Sequence, residues 1–200
     1  MADPREDPDA ADIRRVLAGD RDAFAGLVTR HARRVHDLAR RMLRDDHAAE
    51  DVTQHAFLNA YRALDRFDRT RPFRHWILRI ASNLCRNRYA ARKARRERPP
   101  VGGDAELPDP EDVRAPRPGA ATRDTSVEGV REAIESLPEA YRLAVVLHYV
   151  HGLSLEEVSE VAEIPVATVK THLHRARAAL RARLKDPETP AGEAGTKGGR

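Results

Sequence analysis

Along the first half of the chain, Ile13, Val16, Leu17, Phe24, Leu27, Val28, Val35, Leu38 and Leu43 recur at helical spacings. No segment shows sustained alternation of apolar and polar positions bounded by hairpin signals, so helices are expected throughout. Gly19 and Asp20 mark one break and the Asp45, Asp46 pair another. A further helix is predicted from about Ala48 to Leu64, with Val52, Ala56, Phe57, Ala60 and Tyr61 on one stripe and Asp51, Gln54, His55 and Leu58 outside it or at its edge. The stretch DRFDRTRP, from Asp65 to Pro72, cannot stay helical through its proline and reads as a loop. Phe73, Trp76, Ile77, Ile80, Ala81 and Leu84 then restart a helix whose later half is basic. Its apolar half is expected to pack while its basic half projects.

The second half carries sharper boundaries. Ser136 to Glu139 and Ser154 to Glu157 both have the shape of a capping box, the first with Pro138 where a missing N–H costs little. The helix opened by Ser154 (Leu155, Val158, Val161, Ala162) is expected to end near Glu163, and another to begin near Val166, after Ile164 and Pro165. In that last helix Val169, Leu173, Ala176 and Leu180 form the inward stripe; Thr168, Lys170, Thr171, His172, His174, Arg175 and Arg177 take the opposite face. Two short helices joined by a tight turn, the second carrying the basic residues, meet the geometric demand of a DNA-reading helix-turn-helix, because the major groove admits one helix.

Residues 99–125 hold six prolines, three glycines and six acids with almost no large apolar side chain. Such a segment cannot offset its ordering entropy by burial, so it reads as a flexible linker. A second reading makes its acids a nucleic-acid mimic that shields a basic face. Residues 1–11 and 186–200 read as disordered ends. The expected architecture is therefore all-α: two small helical domains, 12–98 and 126–185, joined by the linker.

Composition narrows the function. The 200 residues are 40% hydrophobic and 34% charged, and no run of about 18 apolar residues exists. The N-terminal residues lack the basic and apolar regions of a secretion signal, which points to the cytoplasm. Cys85 is the single cysteine, excluding an intramolecular disulfide and any multi-cysteine zinc site. His172 and His174 do not share a helical face, while His148 and His151 are better spaced but have no further ligand nearby, so no metal and no other cofactor is expected. No nucleophile elbow, phosphate-binding glycine loop or H-E-x-x-H occurs, so no catalytic residue is assigned.

Net charge is only +4, yet the basic residues are clustered. Eight lie between Arg79 and Arg98 against one acid, and six lie between Pro165 and Lys185 with none. Two separate basic blocks are the footprint of two contacts with a polyanion.

In order along the chain, AAEDVTQHAF from Ala48, FRHWILRIASN from Phe73, a proline-rich linker, and LPEAYRLAVVLHYVHGLSLEEVSEVAEIPVATVKTHLHRARAAL closely resemble the extracytoplasmic-function group of sigma-70-type sigma factors of bacterial RNA polymerase. The resemblance implies a sigma region 2 bundle over 12–98 and a region 4 helix-turn-helix over 126–185. It implies that Glu50, Asp51, Gln54 and Phe57 grip the clamp helices of the largest polymerase subunit, with Phe57 equally placed to be core. It implies that the Asp65 to Pro72 loop with Asn83, Arg86, Asn87 and Arg88 captures the melting minus-ten element, for which an amide can pair a base edge and a basic track can hold a strand. Phe73 and Trp76 fit core positions better than stacking platforms. The polar face of the last helix, from Thr168 to Arg177, falls on the reader of the minus-thirty-five element, with Arg175 foremost because a bidentate Arg to guanine is the commonest specific contact. The implied partners are core polymerase, including the flap of its second-largest subunit, promoter DNA and an anti-sigma factor.

The sequence departs from the family's usual residues at four places. Glu163 stands where glycine is frequent in the turn, Ala167 where a second glycine is, His55 where an acid is usual and Asn87 where Asp is frequent. Two other classes fit parts of the sequence: a dimeric helix-turn-helix regulator, which leaves the segment around Asp51 unexplained, and a sigma mimic that sequesters an anti-sigma factor, which leaves the basic face from Lys170 to Arg177 unexplained. A nuclease reading lacks a carboxylate cluster beside the basic blocks.

Overall fold

The computed structural model describes residues 7–97 and 127–184, which are helical with no strand among them. The expected linker and C-terminal tail, and residues 1–6, lie outside the described residues. The first domain contains α1 (Pro8–Leu17), α2 (Phe24–Leu43), α3 (Asp46–Arg62) and α4 (Phe73–Glu97).

Helix α1 starts at Pro8, four residues ahead of the expected boundary at 12. Asp7 accepts from the Asp9 N–H at 3.0 Å, and proline is well suited to the first helical position. Asp9 then receives Arg30 Nε and His31 Nε2, each at 2.7 Å, and Arg30 also reaches Asp12 at 2.7 Å. These contacts bind α1 to α2. The two helices approach closely at Gly26, where a β-carbon would meet Asp12 Oδ2 at 2.2 Å.

Leu27, Val35 and Leu38 of α2, Val52, Ala56 and Ala60 of α3, and Ile77, Leu78 and Ala81 of α4 form the buried centre of this bundle. Asp45 caps α3 through the Ala48 N–H at 3.0 Å. The loop before α4 is pinned from both sides. Asp68 accepts from the Thr70 N–H and hydroxyl at 3.0 and 2.7 Å, and Phe67, Phe73 and Trp76 stack beneath with centroids 4.8 to 5.8 Å apart. Phe73 is buried and Trp76 half-buried, as their expected core role requires.

The second domain contains α5 (Val127–Glu135), α6 (Glu139–Val145) continuing through a π-helical turn over Val146–Val150, α7 (Leu155–Ala162) and α8 (Val166–Leu184). The Ser154 capping box forms, with Glu157 N donating to Ser154 Oγ at 3.1 Å and Ser154 N to Glu157 Oε2 at 2.8 Å. The one expected at Ser136 does not. Its hydroxyl instead donates to Ala133 O at 2.7 Å, closing α5, and α6 begins after Pro138 without a side-chain cap. Val169, Leu173 and Ala176 are buried and Leu180 partly so, the stripe expected for α8.

The two domains do not stand apart. Helix α4 lies along α7, and α2 touches α6 and the turn that follows it. Arg142 of α6 is 6% exposed and donates Nη1 to Met42 O at 2.7 Å and Nη2 to Leu137 O at 2.8 Å, so a second-domain guanidinium satisfies a carbonyl at the end of α2.

Candidate nucleic-acid and polymerase interfaces

Three polar faces emerge from this packing. The first lies on α3. With Ala49, Val52, Ala56 and Ala60 turned inward, Glu50, Asp51 and Gln54 are exposed. Phe57 is not part of that surface: at 7% exposure its ring packs edge-on against Phe24, with centroids 6.4 Å apart. Its position follows from the helical register, one turn before the buried Ala60 and adjoining Ala56. His55 is exposed and its Nδ1 lies 2.7 Å from Asp51 O, folded back on its own helix.

The second face runs along α4. His75, Arg79, Asn83 and Arg86 follow one another along a helical stripe that meets α7. Asn83 Nδ2 donates to Glu163 Oε2 at 3.2 Å, and Arg86 donates to Asn83 Oδ1 and, at 3.2 Å, to Ala162 O. Asn87 is exposed, and Arg88 pairs with Asp51 of α3 at 3.1 Å. The expected minus-ten group is thus divided: Asn83 and Arg86 face the second domain, while Asn87 is open and Arg88 borders the α3 face. His75 is 5% exposed, and burial pushes its pKa down, against the pull of Glu157. Its Nε2 lies 3.0 Å from Arg74 Nε and 3.1 Å from Glu157 Oε1, so the neutral ring accepts from Arg74 and a protonated ring would donate to Glu157.

The third face is the exposed side of α8. Lys170, Thr171, His174, Arg175 and Arg177 are exposed and Thr168 is half-exposed. Thr171 donates to Ala167 O at 3.0 Å, and Arg177 Nε to Leu173 O at 3.4 Å. His172 differs from its expected open position. Its ring leans on Tyr141, with centroids 5.3 Å apart, and burial lowers its pKa, followed by the charge of Arg175. Tyr141 also accepts Arg175 Nη1 on its hydroxyl at 3.2 Å. It therefore holds two side chains of this face, and the helical pattern gave no sign of it because it belongs to α6. The turn ahead of α8 is left-handed at Glu163, with φ 57° and ψ 42°.

Cys85 is buried, and burial pushes its thiol up to about 12, so it behaves as a core side chain. His148 Nδ1 lies 2.7 Å from Leu153 O, and His151 Nε2 faces Asp37 at 3.9 Å, so the pair does not converge. Among the described residues, no cluster of three or more His, Cys, Asp or Glu is arranged for a metal, and no helix is long and apolar enough to cross a membrane.

The described residues thus form a bundle with one acidic and one basic helix face, followed by a helix-turn-helix with an exposed basic helix. Residues 27–96 match the family description Sigma-70 region 2, and residues 128–180 match Sigma-70, region 4. The chain is 39% identical over 183 residues to the ECF RNA polymerase sigma factor SigW of Bacillus subtilis (strain 168), covering 87% of this chain and 95% of that one. It is 36% identical over 179 residues to the ECF RNA polymerase sigma-E factor of Escherichia coli (strain K12), covering 84% and 90%. Among solved structures it resembles CnrH, determined in complex with the cytosolic domain of CnrY, with a TM-score of 0.64 and 28% identity over 89% of this chain and 97% of that one. The chain belongs to the sigma-70 family of RNA polymerase sigma factors, in its extracytoplasmic-function group.

Proposed function

We propose that this sigma factor docks on core polymerase through Glu50, Asp51 and Gln54 of α3, with Phe57 holding that helix from beneath. In this reading Asn83, Arg86, Asn87 and Arg88 of α4 receive the melted minus-ten strand, and Thr168, Lys170, Thr171, His174, Arg175 and Arg177 of α8, with His172 on the Tyr141 side, read the minus-thirty-five element. The observation that carries it is the α8 face: cationic, hydroxyl and imidazole side chains exposed opposite Val169, Leu173 and Ala176, behind a capped α7. Such a face offers phosphate contacts and at least one fork able to pair a guanine.

The chain acts as a specificity subunit in the cytoplasm. Binding energy separates the strands and the polymerase performs the chemistry. The aromatic content of 4% leaves little stacking energy for melting, so near-ideal promoters are required. An anti-sigma factor is the proposed regulator, in keeping with the CnrH relative, which was solved holding a cytosolic partner domain.

Run-off transcription on pooled genomic promoter fragments, with core polymerase and with Asp51→Ala and Arg175→Ala variants, tests the assignment. Start sites dependent on the chain are expected to disappear with Asp51→Ala. With Arg175→Ala they are expected to weaken by the about 1–3 kcal/mol of one bidentate base contact. DNA binding without core-dependent initiation overturns the reading in favour of an autonomous helix-turn-helix regulator.

A further inference from the structure

Arg175 and His172, one turn apart on α8, are both held by a residue of another helix. Tyr141 accepts Arg175 Nη1 on its hydroxyl at 3.2 Å, and its ring centroid lies 5.3 Å from that of His172. Tyr141 sits in the first turn of α6, where its N–H bonds Pro138 O at 3.0 Å, so its own backbone is fixed. Its half-buried ring packs against the core, and core packing alone needs no hydroxyl. That hydroxyl reaches the guanidinium proposed to meet a base.

A guanidinium bonded through one N–H of Nη1 keeps its Nε and Nη2 edge, a planar two-donor fork. Guanine presents two acceptors, N7 and O6, on its major-groove edge, whereas adenine sets a donor beside its one acceptor. A two-donor fork fixed in place therefore selects guanine. The neighbouring ring permits this arrangement. His172 Nδ1 is buried without a hydrogen-bond partner, and burial, then the charge of Arg175, lowers the pKa of the ring. The ring is neutral and does not repel the guanidinium beside it. An exposed arginine free to rotate loses that freedom when it meets a base, and one already held loses less.

We propose that Tyr141 is a positioning residue for base recognition: its hydroxyl holds the Arg175 fork ready for one guanine of the minus-thirty-five element, so that an α6 side chain sets the base preference at that position. The proposal rests on the assignment of α8 to that element.

The test uses the full chain with core polymerase, in run-off transcription from one chain-dependent promoter carrying every single-base change across its minus-thirty-five element. Arg175→Ala identifies the guanine position as the one where base preference collapses. Tyr141→Phe keeps the ring against the core and His172 and removes only the hydroxyl. It is expected to lower the guanine preference at that position about threefold to tenfold, the size of the rotamer freedom of one held side chain, and to leave the other positions unchanged. Added to Arg175→Ala, it is expected to have no further effect there. A base profile of Tyr141→Phe equal to that of the unsubstituted chain overturns the proposal. An equal loss at every position also overturns it, as the mark of a general weakening of the domain, and a further loss in the double variant does so by giving Tyr141 a DNA contact of its own. If Arg175→Ala alters no position selectively, the assignment of Arg175 to a base fails first and the proposal falls with it.

Discussion

Two residues with a β-carbon hold positive φ among the described residues, Arg44 at 58° and Glu163 at 57°, and they call for different explanations. Glu163 has ion pairs and an amide to hold it. Arg44 ends α2, where its N–H closes the last turn on Arg40 O at 2.9 Å, and its charge works against the neighbouring buried Arg142, whose pKa is pushed down to about 10, first by burial and then by Arg44. The guanidinium of Arg142 nonetheless stays protonated near neutrality. Arg44→Gly removes the left-handed penalty and the repulsion together. The expected result is a gain of about 1 kcal/mol, seen as a rise in Tm of about 3 °C in a thermal melt. A fall in Tm would mean that the Arg44 side chain makes a stabilising contribution larger than its backbone cost.

At the scale of single elements, the two Ser-x-x-Glu segments show where local sequence suffices. Ser154 follows a loop, so its capping box has no competitor and forms. Ser136 follows α5 directly: its N–H bonds Glu132 O at 2.9 Å and the Leu137 N–H bonds Ile134 O at 3.1 Å, so the serine finishes one helix and cannot start the next. Ser154→Ala is therefore expected to cost about 1 kcal/mol and Ser136→Ala clearly less, a difference measurable by urea unfolding. Equal losses would show that the α7 cap contributes nothing special.

The same contrast explains what was legible in the chain. The inward stripe of α8, the loop ending at Pro72 and the exposed acids of α3 follow from periodicity and from proline, which act within a turn or two. The start of α1 has a local signal in the Asp7 cap and Pro8, but its docking on α2 rests on Asp9 meeting Arg30 and His31, 21 and 22 residues away, and no local pattern carries that. The placement of Tyr141 behind Arg175 and His172 depends likewise on which helix lies opposite.

At the scale of the whole molecule, two domains separated in sequence by a proline-rich segment lie against each other. Besides the α4 and α7 contacts, His151 of the second domain packs against Asp37 of α2, with its side chain 5% exposed. Burial lowers its pKa to about 4, outweighing the attraction of Asp37, and Arg34 and Arg41 push the same way as burial. A histidine with a depressed pKa in the closed form binds a proton more readily once released. Closure is therefore fully supported above the ordinary histidine pKa of about 6.5 and weakens as pH falls toward 4. At pH 5 the loss amounts to about 2 kcal/mol, referred to a fully solvated ring. His75, in the adjoining contact and also depressed by burial, adds in the same direction, although its neighbours Glu157 and Glu160 oppose the shift. Small-angle scattering from the full chain is expected to show a larger radius of gyration at pH 5 than at pH 7.5, with secondary structure retained by circular dichroism. His151→Gln, which cannot take the proton, is expected to flatten most of that response. An equal expansion in the variant would assign the pH dependence to His75 or to the carboxylates of α7, and would remove His151 from the account of how the two domains are held.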